Sequence, residues 1–499
     1  MQTDLASGSP RRLRRNLSVW QAVGLSVALM APSMAANINP QATAMSTGRA
    51  VPLAFLIAAI AVLLVGYGFV RLCQYFQHAG SVYAFVGLTL GPRTGVVSGL
   101  ALFATYTFYG VVTSSASGIL GSAFLDQTGI WSNPPTWVPF AIAAISLAGA
   151  LLLTVTPARR GTSALLGIEG VTVAIIVIVT IVVLVRLIAG NPPNGGGQHF
   201  TLDVFTVAPG TATDALFLGI VFGFLSFAGF EAASTLGEET SHPRRDIPRA
   251  ILGTAIFGGI FFVVVTAVEM MGFGSNAAGV KAFTSSGSLL GDLGSSYIGS
   301  WVGDLISLGA TVSAFGCCLA CTVGASRLLY AMNRDLGGEG RGLARLSSAD
   351  TPARSAATVS SLMVLAFVVM IACGGKAEET FAWSATMGTL ILLVAYVITT
   401  VGAIRLVFVQ RKLPVPSWQV VIPVLAIVVL GYTIYRNVWP WPPSGAARVL
   451  PIVSGAWIVL SIVVVACFPR AAQRLGRRLA ADEGFATESD AQPKRFADA

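Results

Sequence analysis

Charge is scarce in this chain. Only 11% of its 499 residues are Asp, Glu, Lys or Arg, less than half of what a soluble globular surface carries, which excludes that class. Histidine is rarer still: His78, His199 and His242 are the three, and none lies deep in an apolar run. No His-Glu-x-x-His pair and no glycine-rich phosphate loop after a strand occur, so neither an enzyme activity nor a metal or other cofactor is expected. The six cysteines, Cys73, Cys317, Cys318, Cys321, Cys373 and Cys467, all sit in or beside apolar stretches. Cys318-Leu-Ala-Cys321 has C-x-x-C spacing but no matching second pair, so close packing of small residues inside a helix is the reading there.

What the chain has in abundance is apolar length. It is 54% hydrophobic, and stretches of roughly 20 apolar residues, enough to cross about 30 Å of hydrocarbon as helices, recur from end to end. They are continuous rather than alternating, which selects helices over a β-barrel. Twelve such spans are expected, at about 18–46, 51–71, 94–121, 136–156, 162–189, 212–236, 248–273, 301–332, 355–374, 380–408, 417–436 and 447–468. The fold class is therefore an all-α polytopic membrane protein. The net charge of +9 orients it and touches anionic lipid. All but six of the 31 Lys and Arg residues fall on one side, the exceptions being Arg49, Arg186, Lys281, Lys376, Arg436 and Arg448. The positive-inside rule then puts both termini in the cytoplasm of a cell that carries the chain in its plasma or inner membrane. No nucleic-acid partner follows from such a distribution.

The spans group as five, five and two. Residues 1–17 form a cytoplasmic tail, 18–190 a first five-helix unit, 191–211 an external Pro- and Gly-rich linker with no fold of its own, and 212–409 a second five-helix unit. Residues 410–469 hold two additional spans and 470–499 a polar, disordered tail. The basic stretch at Arg11 to Arg15 with the apolar residues behind it also fits a cleaved signal peptide, which a polytopic inner-membrane protein does not need. The first span of each five is interrupted near its middle: at Ala31-Pro32-Ser33 and Asn37-Ile38-Asn39-Pro40 in one, at Ser226 to Gly229 in the other. Paired interruptions of this kind point to an inverted-repeat transporter with its site between two broken helices.

Glu231 follows the second interruption in almost wholly apolar surroundings. A carboxylate there costs roughly 2.5 kcal/mol or more to bury, so such residues usually mark a substrate or ion path, the alternative being a protonated cap on freed backbone.

Three stretches carry a family resemblance. Phe227-Ala228-Gly229-Phe230-Glu231 with Glu238-Glu239 and His242-Pro243-Arg244-Arg245-Asp246-Ile247-Pro248-Arg249-Ala250 resembles the sixth span and following loop of amino acid-polyamine-organocation permeases. Ala79-Gly80-Ser81-Val82-Tyr83 with Gly91-Pro92 resembles the entry to their third span, and Ala325 to Asp335 the end of their eighth. The resemblance covers about 18–410. It implies a leucine-transporter-like fold, a 5+5 inverted repeat plus two C-terminal helices. It also implies alternating access and secondary-active transport of an amino acid or related amine, by proton symport or exchange. Unwound backbone at Ser33, Met34, Ala35 and Ala36 would offer N–H groups to a carboxylate. Carbonyls near Ser226, Phe227, Ala228 and Gly229, with Glu231, would receive an ammonium group, and Tyr106 in the third span would face the same site. The chain departs from the family's usual Gly-Ser-Gly break, since Pro32 lacks an N–H and the alanines carry Cβ atoms, so the carboxylate contact is the part in question. Leu225 stands where the family places an aromatic gate, leaving Phe224 or Phe227 for that role or for packing.

Two further groups carry alternatives. Glu169 in the fifth span either titrates as a coupling site together with Glu231 or reaches back towards Arg159 and Arg160. Glu269, Arg186 and Asp304 lie near outer helix ends and read as structural. Glu238, Glu239, Arg244, Arg245 and Arg249 form a candidate cytoplasmic latch. Ser313 and Thr322 supply hydroxyls in the eighth span that a sodium ion would need. A sensor or channel on the same fold is the competing function class, and fold alone does not decide it.

Overall fold

In a computed structural model the described residues are 19–76, 81–156, 159–193, 197–236, 240–335, 342–347, 351–441 and 445–482. They form seventeen α-helices joined by short 3-10 turns, with no strand among the described residues. In hydrocarbon every backbone N–H and C=O must find a partner within the protein, and helices supply one locally.

The first expected span is split into α1 (Val19–Met30) and α2 (Pro32–Thr47). The second is α3 (Val51–Tyr75), and α4 (Ser81–Leu90) leads into α5 (Pro92–Gln127). Next come α6 (Val138–Val155), α7 (Arg159–Ile188), the short α8 (Leu216–Phe227) and α9 (Pro243–Phe273). Two short helices, α10 (Ala277–Ser285) and α11 (Leu289–Tyr297), precede α12 (Ser300–Asp335). The chain finishes with α13 (Ala353–Ala372), α14 (Ala377–Ile404), α15 (Val421–Val438), α16 (Ala446–Cys467) and α17 (Pro469–Asp482).

Ten stretches among the described residues are long and apolar enough to cross a membrane; one of them, Ala22–Tyr75, takes in the first two expected spans, and the sixth is represented by the shorter Thr213–Phe227. The spans α5, α12 and α14 form the buried centre, while α15 and α16 lie at the edge with most of their surface turned outwards. Ile145, Leu152, Ile181, Val428 and Leu460 are exposed, a belt that only acyl chains would cover without cost. Trp131, Trp137 and Trp301 are exposed at helix ends, where indole rings settle at a membrane interface.

Four details depart from the sequence reading. Only one of the two interruptions in the first span is a break: α2 runs unbroken through Pro40, and the Asn37 amide donates to the Ser33 carbonyl at 2.8 Å. The described part of the connection before the third span, Ser81–Leu90, is helical, with Val82 to Val86 buried, and turns into α5 at Gly91, whose φ of 111° suits glycine. Part of the external linker packs: Leu202–Phe205 forms a 3-10 turn capped by Thr201, with Val204 buried. The tail expected to be disordered from 470 instead begins as α17. Its Ala472, Leu475 and Leu479, at helical spacing, are buried against α4 and α5, and Arg478 donates to the Arg334 carbonyl at 2.8 Å.

Candidate functional site

The site is made by two broken helices meeting. In the first, Ala31 takes a left-handed conformation (φ 43°, ψ 59°) that an L-residue adopts at a cost of about 1–2 kcal/mol, and Pro32 then starts α2 at the position where a missing N–H is tolerated. In the second, α8 stops at Phe227, and Gly229 turns the chain with φ 101° into the 3-10 turn Ala232–Leu236. A Cβ on Gly229 would stand 2.6 Å from the Leu29 Cβ and 3.4 Å from the Met30 backbone nitrogen. Glycine is thus required twice over, for its φ and because the end of α1 presses against the break. Asn39 of α2 also donates to the Ser226 hydroxyl of α8 at 2.7 Å, tying the two elements together on their outer side.

Between the breaks lies a small cavity of about 20 Å³, room for roughly one water. Leu29, Met30 and Met34 come from the first break, and Leu225, Ala228, Gly229 and Glu231 from the second. The third span adds Tyr106 and Tyr109, and α12 adds Cys317 and Cys321. Glu231 is the one charged-type residue in this lining. It is 3% exposed, and its Oε2 has no hydrogen-bond partner. The Tyr396 hydroxyl of α14 faces the carboxyl, and Tyr109 is fixed by a 2.9 Å bond between its hydroxyl and that of Thr389. The Cys317 thiol donates to the Leu29 carbonyl at 3.2 Å, serving one of the acceptors that the end of α1 frees.

The sequence-derived residues divide on this geometry. Met34, Tyr106, Ala228, Gly229 and Glu231 converge on the cavity. Ser33, Ala35 and Ala36 are buried in the first turn of α2 rather than unwound, and lie outside the lining, as do Ser226, Phe224 and Phe227. Phe227 packs edge-on against Phe262 at 5.4 Å, while Leu225 lines the cavity. Tyr109, Cys317 and Cys321 were missed, although their spacing gave a signal: Tyr109 is one turn from Tyr106, and the two cysteines are four apart on one face of α12. Of the candidate latch, Glu238 and Glu239 lie outside the described residues, and Arg244, Arg245 and Arg249 are at the start of α9, with Arg244 and Arg249 exposed and Arg245 exposed beside them. Thr322 donates to the Cys318 carbonyl at 2.8 Å. Among the described residues no group of His, Cys, Asp or Glu is placed to hold a metal ion.

Glu169 sits where α7 passes the first break. Its Oε1 accepts from the Ser33 N–H at 3.0 Å, and next to it the Ser313 hydroxyl of α12 accepts from the Met34 N–H at 3.4 Å. The side chains of Arg159 and Arg160, its alternative partners, lie outside the described residues. Glu269, read from the sequence as a structural group near a helix end, is fully buried, with neither oxygen bonded. Among the described residues the buried charged-type side chains are Glu169, Glu231, Glu269 and Asp335, with no buried Lys, Arg or His.

One end of the bundle carries a polar network. Asn37 accepts from the Ser288 hydroxyl at 2.9 Å and from the Leu290 N–H at 3.0 Å. Asp292 accepts from the Ser286 hydroxyl at 2.6 Å and from the Gln127 amide at 2.9 Å, and Ser307 donates to Gln127 at 2.7 Å. Burial pushes the Asp292 carboxyl above its ordinary range, against the lowering effect of Ser286 and Gln127. The closed network therefore binds a proton more tightly than an opened one with Asp292 in water, so acid favours closure and rising pH favours opening. Corrected for intrinsic exchange, amide protection over 286–292 should rise as the solution bathing this end is acidified from neutral, by at most about tenfold for each step of one in pH. Asp292→Asn should abolish this rise, and an unchanged pH response in that variant would remove Asp292 from the role. At the other end Tyr83 of α4 donates to Asp335 at 3.2 Å, and Asp335 pairs with Arg334 at 2.8 Å.

An all-helical bundle around a small acid-bearing cavity at two helix breaks defines a multi-pass membrane transporter. A model of the family described as "Amino acid permease" matches residues 22–474, and the chain belongs to that family. It is a permease for amino acids or related amines. It is similar to the low-affinity putrescine importer PlaP of Escherichia coli K12, 26% identical over 65% of this chain and 68% of the relative. It is also similar to the branched-chain amino acid permease BcaP of Lactococcus lactis subsp. cremoris, 25% identical over 85% of this chain and 88% of the relative. The BcaP of Bacillus subtilis is 27% identical over 58% and 61%.

Proposed function

We propose that this chain is a secondary-active permease. It works by alternating access, as a proton symporter or an exchanger, and receives the ammonium group of an amino acid or amine at Glu231. The observation that carries the reading is the buried, partnerless Oε2 of Glu231 in the cavity between the two breaks, since an acid kept in such a place is costly unless a cation or proton meets it. The named relatives, a putrescine importer and branched-chain amino acid permeases, have an amino group in common among their solutes. In this reading the breaks at Ala31 and Gly229 belong to corresponding first spans of two five-helix repeats, both termini are cytoplasmic, and the outer network around Asp292 opens in exchange for the inner contacts of Tyr83 and Asp335. The test is counterflow in proteoliposomes with a panel of labelled amino acids and amines and no ion gradient. Accumulation of any of them supports a carrier. Conductance without counterflow would make the chain a channel, and absence of both would refute transport.

A further inference from the structure

The first N–H groups of a helix have no partner within the helix and form its anion-binding end. In α2 all of them are accounted for. Pro32 has none. The Ser33 N–H is held by Glu169 Oε1 at 3.0 Å, the Met34 N–H by the Ser313 hydroxyl at 3.4 Å, and the Ala35 N–H by the Ala31 carbonyl at 2.9 Å. A carboxylate already occupies the one position at this break that would receive a carboxylate, and it comes from the chain. Its own surroundings are closed: Glu169 is 7% exposed. No positive charge nearby offers an incoming anion an alternative, because the adjoining cavity is lined by no basic side chain and contains Glu231.

We infer that Glu169 is a specificity-determining residue: it stands in for a substrate carboxylate at the start of α2, so that the site accepts an ammonium group and turns away solutes bearing a carboxylate of their own. The inference rests on the permease reading above and narrows it. A zwitterion entering this cavity would find a partner for its positive end at Glu231 but, for its negative end, no cation and no open helix N–H, only the neutral Tyr106 hydroxyl; to reach the start of α2 it would have to displace Glu169 from Ser33 while leaving that acid buried without its hydrogen bond. An amine of the same shape meets neither obstacle.

Counterflow with matched pairs tests this: leucine and 3-methylbutylamine, ornithine and putrescine, arginine and agmatine. The wild-type protein should exchange at least one amine about tenfold or more better than its parent amino acid, the discrimination of a single charge-assisted hydrogen bond. Glu169→Ala uncovers the Ser33 N–H and should move the amino acid to amine ratio up by about tenfold. Glu169→Gln keeps a carbonyl oxygen on Ser33 and should keep the wild-type ratio, a difference that a merely structural role would not produce. If the alanine protein is not recovered in the membrane, Glu169→Thr, which also falls short of Ser33, is read in its place. Wild-type exchange of amino acids as good as that of amines overturns the inference and leaves the permease reading standing. So does an unchanged ratio in Glu169→Ala, or an equal change in the alanine and glutamine variants. Absence of exchange with every solute overturns the permease reading and this inference together.

Discussion

Glu231→Gln should lower counterflow affinity for an ammonium-bearing substrate by about 10- to 100-fold while the protein still folds. The magnitude follows from what is removed. Glu231 is the one charged-type residue lining the cavity, is 3% exposed, and has an oxygen that no protein group satisfies. A hydrogen bond to a charged group in such a setting contributes about 1.5–3 kcal/mol, and each 1.4 kcal/mol is tenfold in affinity. Glutamine has the same shape, and its amide can still meet the Tyr396 hydroxyl that faces residue 231. Thermal stability should accordingly change little, or rise, since a costly buried acid is gone. The same substitution should remove proton-driven uptake. Retained pH-driven accumulation in Glu231→Gln would take this residue out of the coupling role, and unchanged affinity would take it out of the binding role.

Gly229→Ala should be a severely damaging single-methyl change at the site. Its φ of 101° is strained for any L-residue, at about 1–3 kcal/mol, and the new Cβ would stand 2.6 Å from the Leu29 Cβ and 3.2 Å from the Leu29 carbonyl carbon. The nearest atom is a Cβ, not a flexible tip, so the end of α1 itself must move, at a further cost of about 1–3 kcal/mol. That movement separates the two breaks that enclose the cavity. We expect counterflow to fall by at least about tenfold, with a lowered midpoint in a thermal unfolding scan. Leu29→Gly in the same protein would relieve the contact but not the backbone strain, and should recover part of the loss. An alanine variant with wild-type transport and midpoint would show that the breaks need not touch.

The spans were legible because lipid leaves the backbone one local solution, and a run of about twenty apolar residues states it openly. Glu231 was legible for the converse reason: an acid in such a run stands out. What could not be read was which interruption breaks a helix. Pro32 and Pro40 look alike in sequence, but only Ala31-Pro32 parts the chain, because there Ala31 adopts a left-handed turn and the freed groups find Glu169 and Ser313 on neighbouring helices. Those partners are 136 and 279 residues away along the chain, a distance no local pattern spans. The identity of the lining aromatics was hidden for the same reason. Phe224 and Phe227 carry the composition of a gate, yet the orientation of α8 sends them into packing and turns Leu225 inwards. The amphipathic spacing of Ala472, Leu475 and Leu479 was present all along, masked by the polar composition of the tail around it.

The absence of any buried base among the described residues has an electrical consequence. With Glu231 ionised, a site loaded with a monovalent ammonium is neutral, and carrying it inwards moves no net charge through the field. The empty site is negative, and its return to the outer side moves that charge outwards, the direction an inside-negative potential favours. Displacing a full unit charge through 100 mV is worth about 2.3 kcal/mol. In the exchange mode proposed above the site returns loaded and neutral, so exchange of one monovalent amine for another should be indifferent to the membrane voltage, whereas any return of the empty site would respond to it.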